Sequence, residues 1–84
     1  MRTVTFSKDA LRTLRRMPRN TAVLITEKVA QYARDPESLA NNVKSLKGEA
    51  EILRLRVGDW RVLFTDDATV VAVIRIAPRG SAYI

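Results

Sequence analysis

The sequence predicts an α+β domain in which a short N-terminal strand and two helices precede antiparallel strands that form a twisted sheet packed on the helices. Three observations predict it. Apolar residues recur at helical spacing up to Arg34, the pattern changes to a period of two after Ala40, and Gly58-Asp59 stands between two alternating runs as a hairpin turn.

Each element follows from its residues. Arg2 to Phe6 alternates, with Val4 and Phe6 on one face and Thr3 and Thr5 on the other. Ser7 is an N-cap, with Asp9 in the first turn where the helix dipole favours a carboxylate. Ala10, Leu11, Leu14 and Met17 form the apolar stripe of a first helix ending near Pro18, and Arg12, Arg15, Arg16 and Arg19 fill its other positions. Asn20 or Thr21 caps a second helix with Ala22, Ile25, Val29 and Ala33 as its stripe. Asp35-Pro36 ends it near Arg34, because a residue before proline is pushed out of helical geometry.

Ile52 to Val57 and Trp60 to Thr65 are the arms of a hairpin, with Gly58 supplying the positive φ of a type II′ turn. That turn pairs Val57 with Trp60, Arg56 with Arg61 and Leu55 with Val62. Leu53, Leu55, Val57, Trp60, Val62 and Phe64 then share one apolar face for the helices to cover. Asp66-Asp67 turns the chain again, and Thr69 to Ile76 is a β-branched strand that Pro78 ends. A turn closed by three residues keeps Arg75 off the core and is the expected one.

Composition narrows the chemistry. The 84 residues suffice for one domain, 1–84, with a small core. Without cysteine or histidine there is no disulfide, thiolate nucleophile, imidazole base or His-ligated zinc. No metal-ligand spacing and no Gly-rich phosphate loop appears, so neither a metal nor any other cofactor is expected. Met1 to Met17 mixes charged with apolar residues and has no continuous apolar stretch, which gives the expectation of a cytoplasmic protein with no membrane partner. The formal charge is +6, and arginine's fixed fork suits phosphate or carboxylate, which points to a polyanionic partner.

The hairpin sets Arg56 directly across from Arg61 on the outer face, with Arg54 two residues along. Like charges so placed cost roughly 0.2–1 kcal/mol per pair, and a bound anion offsets that cost. The other reading is a solvated sheet face whose guanidinium groups stack or pair with Glu51 and Asp59. Arg79 and Tyr83 follow the last strand and can fold back over the same face.

The run Leu46-Lys47-Gly48, the stretch Leu53-Arg54-Leu55-Arg56-Val57-Gly58-Asp59-Trp60-Arg61-Val62-Leu63-Phe64, and Arg79 with Tyr83 near the end resemble the RelE/ParE superfamily of toxins from type II toxin–antitoxin systems. The resemblance covers nearly the whole chain. It implies a RelE-like fold and a toxin, neutralised by a cognate antitoxin in a hetero-oligomer, that is either a ribosome-dependent endoribonuclease that cleaves mRNA and blocks translation or a ParE-like inhibitor of DNA gyrase. A toxin-fold binding protein with weak catalysis is the remaining alternative. Carried over by motif, Arg54, Arg61, Arg79 and Tyr83 are the catalytic set and Arg56 another basic position on the same strand. Ile52 stands where some members carry lysine, and Pro78 where many carry histidine.

RNA cleavage without a metal uses the neighbouring 2′-hydroxyl as nucleophile. It requires stabilisation of a phosphorane-like charge, removal of one proton and delivery of another. Arg54, Arg61 and Arg79 suit the first demand; Tyr83, Lys44 and Lys47 are the candidates for proton transfer. Lys44, Lys47, Arg56, Arg12, Arg15 and Arg16 are the expected RNA contacts, the helix arginines facing ribosomal RNA phosphates.

Overall fold

The computed structural model describes residues 1–45 and 52–80. The chain runs β1 (Thr3–Phe6), α1 (Lys8–Arg16), α2 (Arg19–Arg34), a 3₁₀ segment (Pro36–Asn42), β2 (Val43–Ser45), β3 (Ile52–Val57), β4 (Trp60–Asp66) and β5 (Val70–Pro78). The five strands form one mixed sheet in the order β1-β5-β4-β3-β2, antiparallel except where β1 joins β5 in parallel. This is the α+β architecture expected from the sequence.

Local chemistry sets the helix ends. The Ser7 hydroxyl oxygen accepts the Ala10 N–H at 3.0 Å and caps α1, while its O–H donates to the Ile74 carbonyl at 2.6 Å and ties the helix to β5. α2 differs from expectation: it begins at Arg19, with Pro18 at the cap position and the Pro18 carbonyl accepting the Ala22 N–H. Proline's fixed φ starts the helical ladder there, and the Asn20 side chain instead accepts the Thr21 N–H. The 3₁₀ segment and β2 are elements the sequence pattern did not indicate.

The β3–β4 hairpin has the anticipated register, Val57 opposite Trp60, Arg56 opposite Arg61 and Leu55 opposite Val62, with Gly58 at φ +58°. Its apolar face meets Ile25, Val29, Tyr32 and Ala33 of α2, and Leu55, Val62 and Phe64 are at most 1% exposed. Phe64 meets the Tyr32 ring edge-to-face at 4.8 Å.

The last strand corrects the sequence reading. The Asp67 N–H donates to the Val70 carbonyl, so two residues, Ala68 and Thr69, close the turn instead of three. Asp67 Oδ1 accepts the N–H groups of Thr69 and Val70, which holds Ala68 at φ +74°. That register brings Val71 and Val73 into the core and would bring Arg75 in behind them. A bulge prevents it: Phe64 pairs with Val73 but Leu63 with Arg75, so Ile74 is the extra residue, 40% exposed. Ile76 returns to the core and Arg75 stays off it, as anticipated but by another route.

Beside the β4–β5 turn, Asp66 accepts hydrogen bonds from Arg2 Nε at 2.6 Å, Tyr32 Oη at 2.8 Å and the Ala68 N–H at 2.9 Å. Burial alone would raise the Asp66 carboxyl, but these bonds outweigh it and hold it below the usual range. Burial and then the Asp66 bond push the Tyr32 phenol up to about 12.

Candidate functional site

The face of the sheet away from α2 carries the functional candidates. Alternation along β3 and β4 sends Arg54, Arg56, Arg61 and Leu63 there, and β2 pairs Lys44 with Arg54 at its side. Lys44, Arg54, Arg56 and Arg61 line a cleft of about 160 Å³ with Asn41 and Asn42 from the end of the 3₁₀ segment. Among the described residues the lining is four cations and two amides.

Arg61 is the unusual member. It is 8% exposed, the one charged residue fully buried among those described. Its Nη1 donates to the Gly58 and Trp60 carbonyls at 3.0 Å, so the hairpin turn holds the guanidinium. Burial lowers its pKa, and the charges of Arg54, Arg79 and Arg56 lower it further, outweighing Asp59. Arginine stays protonated all the same. A cation is thus held with little exposure among like charges, with its Nη1 satisfied by two backbone carbonyls.

The ion pairs among the described residues are Arg2–Asp66 and Arg12–Asp9. Neither Arg56 nor Arg61 has a described carboxylate within ion-pair distance. Asp59 acts on Arg61 through its field without an ion pair, and Glu51, the other carboxylate weighed from the sequence, lies outside the described residues. The arrangement is chemically an anion site, in which guanidinium forks present donors to an incoming phosphate without losing charge.

Arg79 follows β5, where its N–H donates to the Asp59 carbonyl at 2.7 Å, and its charge reaches Arg61. Five of the anticipated residues, Lys44, Arg54, Arg56, Arg61 and Arg79, therefore gather around one end of the hairpin. Tyr83 and Lys47, as well as Glu51, lie outside the described residues. Arg12, Arg15 and Arg16 sit on α1 and do not line the cleft.

Arg16 instead borders a second concavity of about 440 Å³, lined by the apolar Met17, Pro18, Trp60 and Ile76 and by the charged Arg16, Arg75 and Asp9. Trp60 is half-buried there rather than wholly within the core. Asn41 and Asn42 were missed by sequence reasoning, because only the pairing of β2 with β3 brings the segment before Val43 beside Arg56. Among the described residues no group of histidine, cysteine or acidic side chains is placed to hold a metal ion, and no helix is long and apolar enough to cross a membrane.

No curated protein matches this sequence. Solved structures do. The toxin–antitoxin complex RelBE2 from Mycobacterium tuberculosis contains a chain 28% identical, matched over 93% of this chain and 98% of its own at a TM-score of 0.76. An archaeal RelE–RelB complex from Pyrococcus horikoshii is 23% identical over 96% of this chain and 98% of that one, at 0.77. The isolated E. coli RelE toxin is 17% identical over 99% and 89%, at 0.76. The latter two, less than a quarter identical, show the shared fold. Residues 4–83 match the model of the ParE toxin of the parDE type II toxin–antitoxin system. With that match across almost its whole length and the RelE-like sheet beneath it, the chain belongs to the RelE/ParE superfamily of type II toxins.

Proposed function

We propose that this toxin is a ribosome-dependent endoribonuclease that cuts messenger RNA and so inhibits translation in the cytoplasm. The observation that carries the reading is the buried Arg61, with no described carboxylate within ion-pair distance, lining a cleft shared with Lys44, Arg54 and Arg56. A scissile phosphate seated there gains its strongest contacts when attack by the 2′-hydroxyl places extra charge on the non-bridging oxygens. Because Arg61 is held by backbone carbonyls, its remaining donors are aimed before substrate arrives and need little reorganisation. Arg79 adds charge from the strand exit. Proton transfer falls to Tyr83 or Lys47, or to Lys44 within the cleft, and alignment of the message by the ribosome lets a modest base suffice.

The partner is a cognate antitoxin, in keeping with the complexes that the related toxins form. An acidic segment with apolar residues on one side suits the groove at the end of α1, whose lining combines Arg16 and Arg75 with apolar residues. Binding through those charges weakens as salt rises.

Expression of Arg61→Ala and Arg79→Ala tests the nuclease reading: both relieve growth arrest and abolish message cleavage on purified translating ribosomes. The second reading, gyrase inhibition, is favoured by the ParE family match. It predicts loss of supercoiling activity by gyrase with messages left intact, and that outcome, or full toxicity of both variants, overturns the first.

A further inference from the structure

We infer that Asn42, with Asn41 beside it, forms a nucleobase subsite that reads one base next to the phosphate held by the arginines. The inference rests on the nuclease reading and extends it from where RNA is charged to how its sequence is sensed.

Lys44, Arg54, Arg56 and Arg61 are pure donors, and donors are all that a phosphate needs. Among the described lining residues, Asn41 and Asn42 are the side chains that carry an acceptor. A carboxamide oxygen gains nothing from a phosphate and is repelled by it, whereas a base edge presents a donor and an acceptor side by side, the pattern a carboxamide complements.

Placement supports the same conclusion. Asn42 ends the 3₁₀ segment and immediately precedes Val43, which pairs with Leu55, so it lies beside Arg56 at the sheet edge. It is half-buried while Asn41 is exposed. Among the described residues no hydrogen bond engages either carboxamide, whereas the Asn20 and Ser38 side chains are bonded to nearby backbone. Size agrees too. At about 160 Å³ the cleft is smaller than the roughly 300–1,000 Å³ typical of sites that enclose a free small molecule. It fits a phosphate and a base edge of a longer strand. Asparagine's established two-bond partner is adenine, and unstacked bases of single-stranded RNA expose the edges required.

The test is fluorescence anisotropy with labelled 2′-O-methyl oligoribonucleotides, which cannot be cut through the 2′-oxygen: homopolymers of each base and an abasic sugar–phosphate strand of equal length. Wild-type protein should bind the adenine strand roughly fivefold or more above the abasic one. Asn42→Leu should erase that preference while inorganic phosphate still competes at the wild-type concentration; Asn42→Ala repeats the test with a smaller side chain in case leucine disturbs folding. Equal wild-type binding of all strands, or a preference that survives in both variants, overturns the subsite and leaves the nuclease reading standing. Failure of every strand and of phosphate to bind overturns the subsite together with the anion cleft it adjoins, while cleavage on translating ribosomes tests the nuclease reading separately.

Discussion

Replacing Arg56 with glutamine should strengthen the fold while weakening its hold on RNA. Arg56 is exposed and stands directly opposite Arg61 on the neighbouring strand. Removing one member of a like-charge cross-strand pair recovers roughly 0.2–1 kcal/mol. For a domain of this size that raises Tm by about 1–8 °C, and glutamine keeps the stem without adding an apolar surface. Among the described residues the cleft is lined by four cations. If each meets one phosphate of a single strand, the slope of log K against log salt is about −0.7 per contact, or about −2.8 in total. Between about 50 and 200 mM salt the affinity then falls about 50-fold; with one contact gone the slope is about −2.1 and the fall about 20-fold. Thermal denaturation in phosphate-free buffer reads the first effect, and anisotropy titrations over that salt range read the second. An unchanged slope would show that Arg56 does not face the nucleic acid, and a lowered Tm would show that Arg56 has a stabilising partner in the fold.

Two further outcomes concern the network at Asp66. Asp66→Ala removes the acceptor shared by Arg2, Tyr32 and the Ala68 N–H, and should cost about 3–5 kcal/mol, a large part of the ~4–13 kcal/mol expected for 84 residues. Combining it with Tyr32→Phe, which removes the orphaned hydroxyl, should cost less than the sum of the single changes in urea denaturation; additivity within about 0.5 kcal/mol would mean the bond is not coupled. The pH profile follows from the same pair. The Asp66 carboxyl is held low in the folded state, so its contribution is present above the unfolded value of about 4 and disappears as pH falls through the folded one. The Tyr32 phenol is raised from 10.0 to about 12, so its contribution is present below pH 10 and is lost as pH climbs toward 12. Tyr32→Phe should flatten the alkaline decline relative to wild type, and an identical decline in both proteins would assign it to other groups.

Much of the fold was legible because it is local. Gly58-Asp59 between two alternating runs determines the register of β3 on β4, and that register dictates which residues face the helices and that Arg56 meets Arg61. The same alternation put Leu55, Val62 and Phe64 in the core. Less legible were places where one interaction outweighs a pattern. Pro18 starts α2 ahead of the better capping residues that follow it. Ile74 bulges out because a two-residue turn had already committed Val71 and Val73 to the core, leaving Arg75 due to point inward. Burying that guanidinium among apolar side chains costs more than one unpaired strand residue.

The site divides along the same line. Sequence by itself determined the residue types and the strand faces: arginines at alternate positions of a hairpin must share a side, whatever else the chain does. Only the tertiary structure decided which cations converge, because β2 and the 3₁₀ segment reach the hairpin through pairing between distant parts of the chain. It placed Lys44 beside Arg54, brought Asn41 and Asn42 to the cleft and left the α1 arginines outside it. It also buried Arg61, since desolvation depends on everything packed around a group and has no signature in the group's own neighbours along the chain.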